Sequence, residues 1–169
     1  VFSFELLASI SQCESGILRR NLDELVRAEL LQRRGGASGV TYVFKHALIQ
    51  DVAYLSLLKK RRQEIHEGIA RALEERLQKG QETEPEILAY HCEKAGLIPQ
   101  AVIYLQQAAA RALQRSAYNE AANHCNKGIA LLETLPAVQQ RWEQELALRN
   151  NLNLALIPTR GHTSQEVKD

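Results

Sequence analysis

The chain has 169 residues, 45% of them hydrophobic and 24% charged, with a formal net charge of +1, a profile typical of soluble globular chains. The near-neutral balance argues against the marked basic excess of proteins that live on phosphate backbones, and no run of about 18 apolar residues suggests a membrane span. There is no methionine, the start Val1-Phe2-Ser3-Phe4 lacks the basic-then-apolar layout of a secretory signal, and the chain therefore reads as a cytoplasmic interior piece of a longer protein.

In chain order, a short apolar segment from Phe4 to Ile10 leads to Ser11-Gln12. Ser15 can then cap a helix whose apolar positions Leu18, Leu22, Leu25 and Val26 recur at helical spacing. The period changes at Leu30-Leu31-Gln32-Arg33-Arg34. A tip of Gly35-Gly36-Ala37-Ser38-Gly39 and the β-rich Val40-Thr41-Tyr42-Val43-Phe44 complete a hairpin. Two helices followed by a β-hairpin are the outline of a winged helix. Next, Leu48, Val52 and Leu55 fall at i, i+4 and i+7, and Ile65, Ile69, Leu73 and Leu77 follow at successive i+4 steps. The polar stretch Lys79-Gly80-Gln81-Glu82-Thr83-Glu84 is a plausible boundary, which gives a winged-helix domain with its following helices over 1–80 and a helical arm over 81–169.

The arm reads as antiparallel helical hairpins. Pro85 suits the first turn of a helix ending at Gly96. Pro99 opens another with Val102, Leu105, Ala108 and Ala112 on one face. A turn near Ser116 leads to a third with Ala121, Cys125, Gly128 and Leu132 inside, ending by Pro136. Val138, Trp142 and Leu146, then Leu148, Leu152 and Ala155, carry a last helix to Pro158. Ala89-Tyr90-His91-Cys92-Glu93-Lys94-Ala95 is echoed by Ala122-Asn123-His124-Cys125-Asn126-Lys127-Gly128, an offset close to the tetratricopeptide period of roughly 34 residues. Leu105, Ala109, Ala112, Cys125 and Gly128 fall at signature positions of about one such repeat, and a frame with Ala101 in the role of Ala121 fits comparably. The fold class expected is mainly α: a winged helix followed by tetratricopeptide-like helical hairpins.

At the end of the hairpin stands Tyr42-Val43-Phe44-Lys45-His46-Ala47-Leu48-Ile49-Gln50-Asp51-Val52-Ala53-Tyr54. With Lys60-Arg61-Arg62-Gln63-Glu64-Ile65-His66, Arg115-Ser116-Ala117-Tyr118 and Leu131-Leu132-Glu133-Thr134-Leu135-Pro136, it resembles the winged-helix and repeat region of AAA-related signal-transduction (STAND-type) ATPases, as in bacterial ATPases fused to class III adenylate cyclase domains or to transcriptional regulators. In related ATPases the matching phrase is Met-His-Asp, and its histidine reaches the β-phosphate of ADP. The resemblance implies that role for His46, with ATP or ADP and Mg held by an upstream ATPase domain and an unknown protein or small-molecule effector on the arm. The methionine and aspartate positions are Lys45 and Ala47 here, so a carboxylate partner must come from elsewhere, with Asp51 as a candidate. An imidazole can donate a hydrogen bond to a phosphate oxygen, more strongly when protonated. The plainer alternative is that His46 caps or packs at the hairpin-to-helix junction.

No motif for catalysis is present: Gly35, Gly36 and Gly39 lack the lysine of a phosphate-binding loop, and neither a nucleophile elbow nor a zinc-protease pattern occurs. The three widely separated cysteines, Cys13, Cys92 and Cys125, suit reduced, mostly buried thiols. His91-Cys92 and His124-Cys125 suggest zinc, but adjacent helical side chains point about 100° apart, so repeat-core cysteines and no metal are expected. His66 is expected on a solvated or half-buried helix face. Lys59-Lys60-Arg61-Arg62 could touch phosphate. The helix from Leu18 mixes Arg19, Arg20 and Arg27 with Asp23, Glu24 and Glu29, a poor surface for a major groove. The expected function is thus a non-catalytic regulatory and interaction module, with a DNA-binding winged-helix transcription factor as the alternative.

Overall fold

A computed structural model describes residues 1–11, 13–36, 39–136 and 139–160. The described residues are mainly helical, with eight helices and one small three-stranded antiparallel sheet. The chain divides into two compact units, Val1–Glu75 and Arg76–Asp169.

The first unit runs β1 (Phe2–Ser3), α1 (Phe4–Ile10), α2 (Ser15–Arg27), β2 (Leu31–Gly36), β3 (Gly39–Phe44), α3 (Ala47–Ser56) and α4, a helix over Lys59–Gln78 whose end passes into the second unit. The hairpin forms with register Leu31↔Phe44 through Gly36↔Gly39, while the tip residues Ala37 and Ser38 lie outside the described residues, as does Gln12. β1 goes beyond the sequence reading. Two residues are too short to show an alternation, yet Phe2 pairs with Tyr42 and Ser3 with Thr41, which makes β3 the central strand in the order β1-β3-β2. Ser3 then caps α1, its hydroxyl accepting from the Leu6 amide at 3.1 Å. Ser15 does not cap α2: it is the first helical residue, and Glu14 occupies the cap position without a side-chain bond. Leu18 and Leu22 of α2 pack with Leu31 and Tyr42, surrounded by Phe2, Phe4, Leu7, Val26, Val40 and Phe44. Leu25, expected inside, is exposed.

Two other inward assignments are corrected here. Leu48, Val52 and Leu55 all face outward, and α3 has no buried residue. On α4 the buried positions are His66, Ala70 and Leu73, whereas Leu77 is exposed. A 3.6-residue period reports that one face is apolar, but it does not report that anything covers that face.

The second unit contains α5 (Pro85–Ala95), α6 (Ile98–Gln114), α7 (Tyr118–Glu133) and α8 (Gln139–Arg160). Pro85 takes the first helical position of α5, and Gly96 ends it in the left-handed region at φ 85°, where a glycine has no Cβ to clash. Ser116 takes the same region at φ 58° between α6 and α7. Such short connections turn each helix back along its predecessor. α6 packs on α5 and α7, and α8 packs on α7 and reaches α6. Val102, Ala109, Cys125, Leu132 and Leu148 form one core cluster, and Ala112, Ala121 and Ala155 another. The alanines allow close approach of the helix axes, as does Gly128, where an added Cβ would lie 2.7 Å from Leu148 Cδ1. The inward face of α8 is Leu148, Leu152 and Ala155. Trp142 and Leu146 lie outside it and are exposed, while Val138 is not among the described residues.

Candidate functional site

His46 stands where the sheet hands over to α3. The Lys45 amide donates to the Leu30 carbonyl at 3.0 Å, prolonging the hairpin by one rung, and Lys45 Nζ lies 3.4 Å from Glu29 Oε2. His46 itself is extended (φ −131°, ψ 131°) and forms the N-cap of α3. Its carbonyl accepts from the amides of Ile49 at 3.1 Å and Gln50 at 3.4 Å. The imidazole makes no capping bond and is exposed. The capping role therefore belongs to the backbone, and the side chain is left available. It sits beside the positive end of the α3 dipole, in a first turn without acidic residues, a local field that favours an anion. Asp51, exposed on the next turn, is not paired with His46; the ion pair next to His46 in the chain is Lys45–Glu29.

His66 departs from the sequence reading. It is 6% exposed, and its Nε2 lies 3.1 Å from the Tyr54 hydroxyl, with the two rings edge-on at 5.9 Å. The guanidinium of Arg62 sits 5.1 Å over the Tyr54 ring. The pair joins the face of α3 opposite its apolar stripe to the second turn of α4. Residues twelve apart on different helices leave no periodic trace, so no sequence signal marks the contact.

The paired histidines and cysteines separate as helical geometry demands. Cys92 and Cys125 are buried in the helical core, while His91 and His124 are half-buried. Burial pushes the Cys125 thiol up to about 11, so it stays protonated and unreactive at neutral pH. Cys13 is only partly buried. Among the described residues no group of three or more His, Cys, Asp or Glu side chains converges as a metal site would require. In the echoed segments Lys127 Nζ lies 2.6 Å from Glu93 Oε2 and ties α7 to α5.

Several basic groups have partners within the chain. Arg19 lies 4.5 Å over the Phe4 ring, Arg33 is 4.0 Å from Asp23 and Arg61 is 3.1 Å from Glu64. The first two border an open cleft of about 530 Å³ between α1, α2 and the sheet, lined also by Glu5, Val40 and Tyr42. Its charges are mixed. Among the described residues no helix is long and apolar enough to cross a membrane.

Comparison with known proteins is sparse. No family model matches the chain, and no solved structure matches it. Over 146 residues the chain is 27% identical to an uncharacterized protein of Rhizobium meliloti (strain 1021), a match that takes in 86% of this chain and 14% of that relative's length.

Proposed function

We propose that this chain is a non-catalytic regulatory module of a larger ATP-switched signalling protein, in which a winged helix carries the nucleotide-sensing His46 and a tetratricopeptide-like arm receives an effector. The order β1-α1-α2-β2-β3, with the second hairpin strand central in the sheet, supports the winged-helix reading. The four antiparallel helices, with Cys92 and Cys125 buried at echoed positions, support repeats. The observation that carries the functional part is the exposed imidazole of His46 at the N-terminus of α3, free of any capping bond. In this reading an ATPase domain upstream holds ATP or ADP with Mg, His46 donates to a phosphate oxygen of ADP, and the closed arrangement is favoured because that contact exists only there. An effector on the arm releases it, and the output is an adenylate cyclase or a transcriptional regulator. The internally paired arginines beside α2 favour this over DNA binding.

The test uses the longer protein that contains this segment. His46→Ala should speed ADP release about tenfold or more, the value of a lost charge-assisted hydrogen bond, read by chasing a fluorescent ADP with unlabelled nucleotide. Unchanged ADP retention rejects the reading.

A further inference from the structure

We infer that α3 is a lever and that the contact between Tyr54 and His66 is the latch that holds it to α4. This does not depend on the nucleotide reading. α3 has ten residues, and isolated helices shorter than about 12–15 residues are marginal in water. Its stability must therefore come from what it touches. Yet it buries no residue, and its apolar stripe is open, with Leu48 73%, Val52 61% and Leu55 69% exposed, continuing into Leu58 at 80%. At both ends the backbone is extended, at His46 (ψ 131°) and at Leu57 (ψ 140°), and no side chain fastens the His46 cap. Against the neighbouring helix, the contact with a buried anchor is the Tyr54 hydroxyl at 3.1 Å from His66 Nε2, with Arg62 stacked over the same ring. A helix with these properties belongs to the low-stability end of a fold, where opening is local rather than global. When the latch opens, α3 and the His46 cap move together, hinging at residues 45–46 and 57–58.

Hydrogen exchange of the whole chain tests this with Tyr54→Phe, which keeps the ring over Arg62 and removes only the hydroxyl. Amides of 49–56 should exchange up to about tenfold faster, while those of β2, β3 and 66–75 stay within about twofold. His66→Gln, which also disturbs the other contacts of His66, should give α3 a similar increase, and the double variant should add little to either. Unchanged exchange in α3, exchange already unprotected in the parent chain, or a uniform rise across the first unit would each overturn the latch.

Discussion

Leu148→Ala should destabilise the helical unit of residues 76–160 by about 2–5 kcal/mol, the range for a buried leucine truncated in a core that cannot collapse around the gap. Leu148 is fully buried among Val102, Ala109, Cys125 and Leu132, so the lost contacts come from two neighbouring helices, α6 and α7. The same side chain covers Gly128, where a Cβ would meet Leu148 Cδ1 at 2.7 Å and Cδ2 at 3.1 Å. Gly128→Ala on its own sets a helix-propensity gain of about 1 kcal/mol against an overpacking cost of about 1–3 kcal/mol, and a net loss is expected because Leu148 has no exposed side to move toward. In the double variant the new methyl enters the space that Leu148 vacates. Its cost should therefore fall below the sum of the two single costs by about 1 kcal/mol or more, as measured by urea unfolding followed by far-ultraviolet circular dichroism. Strict additivity would mean that α7 and α8 separate to accept the methyl.

Tyr42→Ala should cost the first unit about 3–5 kcal/mol, as for other large buried aromatics. Tyr42 is 3% exposed, sits in the central strand, contacts Leu18, Leu22 and Leu31, and has the Phe2 ring stacked at 5.8 Å. Because β1 pairs only through Phe2 and Ser3, removing the ring also removes much of what holds the first strand. Tyr42→Phe retains the ring and should keep most of the stability. Amide exchange resolved by residue should show the loss in 2–44, with α6 and α7 retaining their protection. A comparable loss of protection in α6 and α7 would show that the two units unfold as one.

Much of this architecture is legible in the residues because the signals are local. The glycine tip and the β-rich run of 40–44 mark the hairpin, Pro85 and Pro99 mark helix starts, and Gly96 marks a helix end. Both echoed cysteines fall in the core for the same reason: spacing along one helix face is enough to place them. What remained hidden depends on contacts distant in sequence. β1 has no pattern of its own and exists through Tyr42. Leu48, Val52 and Leu55 carry a perfect helical period, but whether they are covered depends on a neighbour that periodicity cannot name. His66 reads as a histidine on a solvated or half-buried helix face because only the fold brings Tyr54 to it. For His46, position at the junction could be read, and the structure adds that its imidazole is not used for capping.

The chain has a single tryptophan, and it does not lie in a core: Trp142 is 57% exposed on α8, with Arg141 stacked 5.5 Å from its ring. Intrinsic fluorescence should therefore already be red-shifted and open to iodide in the folded chain, so it will be a dull reporter of unfolding. It is better suited to watch the outer face of α8. Anything that settles there, with Leu146 and Ile157 exposed alongside, would shift the emission to the blue and shield it from quencher, giving an optical readout of occupancy without any added label.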